Sequence, residues 1–212
     1  MSSPALDEDA RRIFGTNLAL ATAYANRLGT DGVAHGLVGP REAERIWSRH
    51  LLNSAAVAEL LPANARVADI GSGAGLPGIP LALARPDLML TLVEPMARRT
   101  EFLVEVIDDL GLSARVRILR GRADDPHVRA ALGGSRWLVA RAVAPLDRLV
   151  KWCLPLLAPG GELLAIKGRS AKDEAARLSA ARPRGVGTVA ARQIGSGSAA
   201  TWVVVVARAV RS

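Results

Sequence analysis

The sequence predicts an α/β fold. Its parts are a seven-stranded, mostly parallel sheet with helices on both faces, a C-terminal antiparallel hairpin and an N-terminal helical cap. Three observations carry this. From residue 66 onward, strand-like runs alternate with helix-like runs, the pattern of a parallel sheet built from crossover units. The run Val67-Ala68-Asp69-Ile70-Gly71-Ser72-Gly73-Ala74-Gly75-Leu76-Pro77-Gly78 passes from an apolar strand through glycines into a helical pattern. Near the end, two more strand-like runs flank Gly195-Ser196-Gly197-Ser198, a hairpin signal.

The elements follow in order. Residues 7–30 read as one helix, with Ile13, Leu18, Leu20, Tyr24 and Leu28 roughly on one face and Gly29 ending it. Pro40 opens a second helix, with Glu42 and Glu44 suited to its first turn. A third spans 49–61 and stops at Pro62. Strands are expected near 66–70, 89–94, 115–120, 136–141 and 160–167. Helices fit 76–84, 96–110, 125–132, 145–157 and 171–181. The last strands are expected near 186–194 and 201–208, where Thr201-Trp202-Val203-Val204-Val205-Val206-Ala207 is the most strand-like stretch of all. The expected division is a cap over 1–62 and a catalytic domain over 63–212.

Composition narrows the class. The chain has 212 residues, half of them hydrophobic, which suffices for one sizeable core. No apolar run approaches the ~18 residues of a membrane span. The start, Met1 to Asp9, is acidic and unlike a secretory leader. One cysteine, Cys153, lies in an apolar helical run and reads as core. A cytoplasmic monomer is expected. The net charge is +8, distributed as −2 over residues 1–96, +3 over 97–141 and +7 over 142–212. A basic carboxyl half suggests a polyanionic partner.

The glycine turn suggests an adenosine-bearing cofactor, since glycine lets the backbone turn sharply and approach a ligand. Glu94 stands 23 positions after Gly71 at the end of the next strand, where a carboxylate can take ribose hydroxyls. A nicotinamide oxidoreductase would usually need a second nucleotide half or a substrate domain. Here about 118 residues follow Glu94, enough only to complete one sheet. The layout therefore matches the Rossmann-like class I fold of S-adenosylmethionine-dependent methyltransferases. Asp69, Glu94 and Asp124 form the acidic series of that fold. In this reading Gly71, Gly73 and Gly75 admit the methionine part, Glu94 binds the ribose, and Ala123 and Asp124 flank the adenine. Asp124 also suits a helix N-cap before Asp125-Pro126.

The acceptor is narrowed by missing motifs. No Asn/Asp-Pro-Pro-aromatic turn follows the fourth strand, where the chain reads Arg141-Ala142-Val143-Ala144-Pro145. His35, His50 and His127 have no metal-ligand spacing, so no metal is expected. Guanine N7 fits, because it has a lone pair and no proton to lose. Positioning and electrostatics would then carry the transfer. Arg141 is the expected positioning residue, with Arg122 and Lys167 at neighbouring strand ends. Arg98, Arg99, Arg169 and Lys172 are further candidates for RNA. His50 reads as a packed histidine, Arg49 as a tie between cap and sheet or a phosphate contact. Trp47, Trp137, Trp152 and Trp202 read as mostly core.

These residues resemble the glucose-inhibited division protein B family (RsmG), bacterial 16S ribosomal RNA guanine-N7 methyltransferases. The resemblance rests on Arg49-His50-Leu51-Leu52-Asn53-Ser54, on DIGSGAGLPGIPL over 69–81, and on Glu94 with Arg98-Arg99 and Phe102-Leu103. Gly121-Arg122-Ala123, Arg141-Ala142-Val143-Ala144 and Lys167-Gly168 complete it. It implies S-adenosyl-L-methionine as cofactor, 16S RNA or the small ribosomal subunit as partner, and cofactor contacts at Gly71, Leu76, Ala123, Asp124 and Arg141. Two positions depart from the family. Asn53 stands where the family often has Asp, and Asp124 where it usually has Glu. The last 40 residues resemble it least. A same-fold methyltransferase acting on another RNA or a protein, and a non-catalytic RNA-binding assembly factor, are the alternatives.

Overall fold

The structure, a computed structural model, describes residues 4–34, 36–37, 39, 42 and 45–210. The expected helix start at Pro40 and Glu44, and His35, lie outside them. The expected single helix over 7–30 is instead two, α1 (Pro4–Phe14) and α2 (Leu18–Arg27), joined by a 3-10 turn at Gly15–Asn17. Gly15 takes a φ of +49° there, which interrupts the helix. Gly29 does not end α2. The chain continues through a π turn, Leu28–Gly32, bridged by an Arg27–Asp31 ion pair at 2.7 Å. The third helical stretch runs as a π turn (Ile46–Leu52), α3 (Asn53–Ala55) and a 3-10 turn (Ala56–Leu60). Leu61 is extended because it precedes Pro62.

The rest alternates as expected: β1 (Arg66–Ile70), α4 (Gly78–Ala84), β2 (Met89–Glu94), α5 (Ala97–Asp109), β3 (Val116–Arg120), α6 (Pro126–Leu132), β4 (Ser135–Arg141), α7 (Leu146–Cys153), β5 (Leu157–Ile166), α8 (Ala171–Ala181), β6 (Val186–Ile194) and β7 (Thr201–Arg208). The sheet order is β3-β2-β1-β4-β5-β7-β6. β1 to β5 pair in parallel, and β7 inserts antiparallel between β5 and β6. The central strands β1 and β2 are buried along almost their whole length, while β3 and β6 at the edges are mostly half-buried or exposed. That difference follows from having neighbours on two sides or one.

Two cores cover the sheet. One packs α1, α2 and the 46–61 stretch with α4 and α5, joining Phe14, Tyr24 and Leu51 to Leu81, Leu90 and Leu103. The other packs α6, α7 and α8 on the opposite face and contains the fully buried Cys153, whose thiol burial pushes up to about 12. The four tryptophans are each only partly buried, at the margins of these cores. The cap and the sheet thus share one core. The β6–β7 turn docks on the cap as well: Ser198 N donates to Asp9 at 2.8 Å, and Gly195 N to Glu59 at 3.1 Å.

Candidate active site

The sheet order reverses at β1, whose neighbours β2 and β4 lie on opposite sides. In such a fold the crevice opens beyond the carboxyl ends of those strands. The glycine loop after β1 lies there, beside the loop after β4. Gly73 has a φ of +58°, and a Cβ there would meet nothing closer than 4.0 Å. Its backbone therefore faces open space. Its N–H donates to Glu94 Oε2 at 2.9 Å, while Met96 N donates to Oε1 at 3.0 Å. Glu94 is almost fully buried, and Arg99 lies 3.7 Å from it. The carboxylate keeps lone pairs for further donors. Leu76 continues the loop, its N–H donating to Ser72 O at 2.9 Å.

The other glycines do different work. A Cβ at Gly75, where φ is +102°, would lie 3.0 Å from the Tyr24 hydroxyl and 3.1 Å from Leu103. Gly75 thus lets the loop pack directly against the cap and α5 on its Cβ side. At Gly71 a Cβ would strike Val143 at 2.8 Å, so this glycine lets the loop after β4 close over the turn.

Asp69 lies beneath. It is fully buried, and its Oδ2 accepts Gly78 N at 2.9 Å while Oδ1 has no partner. Burial pushes its carboxyl up to about 7. The Tyr24 hydroxyl donates to Ala74 O at 2.8 Å, anchoring the loop to the cap.

Arg141 differs from expectation. Its Nη1 donates to His50 O at 3.3 Å and to Ser54 Oγ at 3.1 Å, and its Nη2 to His50 Nδ1. It is the strut between sheet and cap, the part expected of Arg49. Arg49 is largely exposed and pairs with Glu42 at 3.3 Å. His50 is buried, and its Nε2 is 3.0 Å from Glu42 Oε2. Burial and the Arg141 charge hold it down at about 4, so the ring is neutral at pH 7. Nδ1 then accepts from Arg141 and Nε2–H donates to Glu42, which commits both nitrogens. Desolvation also pulls Arg141 down to about 10, still charged at pH 7. Asn53, oriented with its amide nitrogen toward Ser48 O and Ala199 O at 3.1 and 3.2 Å, serves two carbonyls that a carboxylate could not.

Lys167 also differs. Its Nζ donates to Ala144 O at 2.6 Å and pairs with Glu174 at 3.0 Å, so it braces the loop after β4 and is not free for RNA. Arg122 is exposed, stacks 5.7 Å from the centre of the Trp152 ring and pairs with Asp124 at 3.3 Å. Ala123 is buried beside it. The N-cap position of α6 belongs to Asp125, not Asp124, and Asp125 Oδ2 accepts Arg122 N at 2.7 Å. Arg98 and Arg169 are exposed, and Lys172 lies 4.6 Å from the Trp202 ring centre. The structure thus gathers Gly71, Gly73, Glu94 and Arg99 at the crevice and gives Arg141 and Lys167 to scaffolding. The apolar face of the first helix marks Tyr24 and the 49–54 stretch contains Ser54, but neither pattern shows that Tyr24 anchors the glycine loop or that Ser54 receives Arg141.

The family model for GidB, rRNA small subunit methyltransferase G, matches residues 17–184. The chain belongs to this family. A Salinispora tropica member, named ribosomal RNA small subunit methyltransferase G, is 58% identical over 182 residues, covering 84% of this chain and 74% of its own. A Mycobacterium marinum member of the same name is 59% identical over 174 residues, covering 82% and 75%. Among solved structures, a predicted O-methyltransferase from Agrobacterium tumefaciens matches with a TM-score of 0.57 at 20% identity, over 75% of this chain and 80% of that one. At that identity the match supports the fold alone, the class I methyltransferase fold expected from the sequence.

Two buried groups give this family member a testable pH response. Asp69 titrates near 7 in the folded state against an ordinary 3.8, so the folded state holds the extra proton. Its contribution to stability is full below about 4 and is lost as pH rises through 7. His50 has the opposite sign: held at about 4 against 6.5, its contribution is present above 6.5 and lost as pH falls toward 4. The two slopes oppose each other. Asp69→Asn keeps an acceptor for Gly78 N and removes one of them. In cofactor-free protein its urea midpoint should rise from pH 4.5 to 7, while that of the wild type changes less. Parallel midpoint curves for the two proteins would show that Asp69 does not titrate in this window.

Proposed function

We propose that the chain transfers the methyl group of S-adenosyl-L-methionine to N7 of a guanine in 16S ribosomal RNA. Membership of a family described as rRNA small subunit methyltransferases carries the reading. The geometry supports it through Gly73, which faces open space beside the buried Glu94 at the switch point of the sheet.

In this reading Glu94 accepts the ribose hydroxyls. Gly71 and Gly73 bring backbone close to the methionine part, with Leu76 beyond them. The unpartnered Asp69 Oδ1 fits a cationic group above it. Ala123 and Asp124 border the adenine. Bound adenosylmethionine supplies an electrophilic methyl group, which the N7 lone pair takes as sulfur leaves as a neutral thioether. N7 loses no proton, so the transfer requires no side-chain base. This suits a joint between cap and sheet at which His50 has both nitrogens committed. Arg141 acts as a positioning residue: it holds the cap against β4 and sets the origin of the loop that covers Gly71. Arg98, Arg122, Arg169 and Lys172 offer exposed positive charge to the RNA. Residues 1–62 form the cap and 63–212 the catalytic domain of a cytoplasmic monomer, its mass testable by light scattering.

Methylation at N7 puts positive charge on the ring and labilises the nucleotide toward borohydride and aniline. Unmodified 16S RNA incubated with the enzyme and adenosylmethionine should acquire one new cleavage site, at a guanine. A methyl group found on an exocyclic amine, a ribose oxygen or a protein would overturn the acceptor.

A further inference from the structure

We propose that a second RNA-contact groove lies at the opposite end of the sheet from the glycine loop, binding phosphodiester backbone through Arg66, Arg115, Arg117 and Arg136. The proposal rests on the RNA-methyltransferase reading above and adds a surface outside the catalytic crevice.

The groove exists because α6 is short. It stops at Leu132, and Gly133-Gly134 turns straight into β4, leaving the amino-terminal halves of β1 to β4 open on that face. The resulting groove is about 840 Å³. The four arginines line it together with Thr91 and the exposed Met89, and no acidic residue does.

Their arrangement follows from the register. Val67 pairs with Trp137, so Arg66 and Arg136, one residue earlier on each strand, enter side by side. Arg66 pairs with Met89, and Leu90 with Val116, which puts Arg115 next to Met89. One transverse row thus reads Arg115, Met89, Arg66, Arg136 across four strands. At roughly 4.8 Å per strand it spans about 14 Å, room for several phosphates at ~3.4 Å per stacked nucleotide. Arg117 stands two residues along β3 on the same face, its Nε donating to Thr91 Oγ1 at 2.9 Å with both Nη groups left over.

The charges are not neutralised from within. Arg66, Arg117 and Arg136 are exposed and form no ion pair among the described residues. Arg115 has a buried Nη1 with no partner. Asp87, the carboxylate whose field reaches Arg115, is already held by two Arg85 nitrogens at 2.7 Å each and by Asn64 N at 2.7 Å. Like charges placed side by side across a sheet are destabilising. Arginine on the edge strand β3 could serve only to block edge pairing. That purpose does not account for Arg66 and Arg136, which come from interior strands. A polyanion accounts for all four.

The test compares wild type with Arg66→Gln/Arg117→Gln/Arg136→Gln, using unmodified 16S transcript as probe and binding as the first readout. Log affinity against log salt should lose about 2 units of slope, at roughly 0.7 per lost single-strand phosphate contact. Affinity near 0.1 M salt should fall on the order of 100-fold. S-adenosylhomocysteine affinity should not change. The corresponding triple lysine variant should recover the slope, because a point charge suffices for phosphate. If the glutamine triple does not fold, Arg66→Gln and Arg136→Gln alone should each cost about 0.7 in slope. Wild-type slope and affinity in a folded glutamine variant overturns the groove, as does failure of lysine to restore them. Methylation is scored separately. A wild type that binds through the groove but leaves guanine N7 unmodified overturns the proposed function and not the groove. A wild type that methylates N7 while the glutamine variant binds normally overturns the groove and not the function.

Discussion

Arg141→Ala should lower the melting temperature by about 10 °C and abolish most methylation. The guanidinium reaches His50 O, Ser54 Oγ and His50 Nδ1. Ser54 is fully buried and His50 nearly so. Truncation leaves His50 Nδ1 and Ser54 Oγ buried without that donor, while His50 O keeps Asn53 N, and each group so orphaned costs about 1–3 kcal/mol. For a chain of this size each kcal/mol moves the midpoint by about 2–4 °C. The loss is local to the joint between cap and sheet, so the cap should become sensitive to protease before the sheet does. Arg141→Lys keeps the charge but not the fork, and should fall between the two. A melting temperature within 2 °C of wild type in the alanine variant would show that the strut carries no stability. Normal turnover in that variant would show that the cap does not position the site.

Glu94→Ala should weaken S-adenosylhomocysteine binding about 10- to 150-fold, the range of 1.5–3 kcal/mol for hydrogen bonds to a charged group. The substitution removes the ribose acceptor. It also frees Gly73 N and Met96 N, which the carboxylate now holds at 2.9 and 3.0 Å. Glu94→Gln retains one oxygen and should lose less. Isothermal titration separates the three proteins, and wild-type affinity in Glu94→Ala would remove Glu94 from the cofactor site.

All seven strands and the glycine turn were legible in the sequence because their signals are local. The valine run over 203–206, the β1 run into Gly71 and the Gly195–Ser198 turn each depend on neighbours a few residues away. Family membership was legible for the same reason: its motifs are contiguous stretches such as 69–81. Helical detail was less so. The break at Gly15 and the continuation past Gly29 reverse what each glycine suggests alone, because one adopts a positive φ and the other does not.

What only the tertiary structure decided is which charged side chains are free. Arg141 lies 91 residues from His50, and Lys167 lies 23 from Ala144. Nothing in an arginine or lysine at the end of a strand says whether its donors meet RNA or another part of the chain. The converse holds at the far end of the sheet. Arg66, Arg115, Arg117 and Arg136 are scattered through the sequence, and only parallel pairing in register aligns them. Residue type and local period set the elements, because backbone conformation responds to near neighbours. The fate of each charge is set by long-range packing, which brings distant donors and acceptors within about 3 Å of one another.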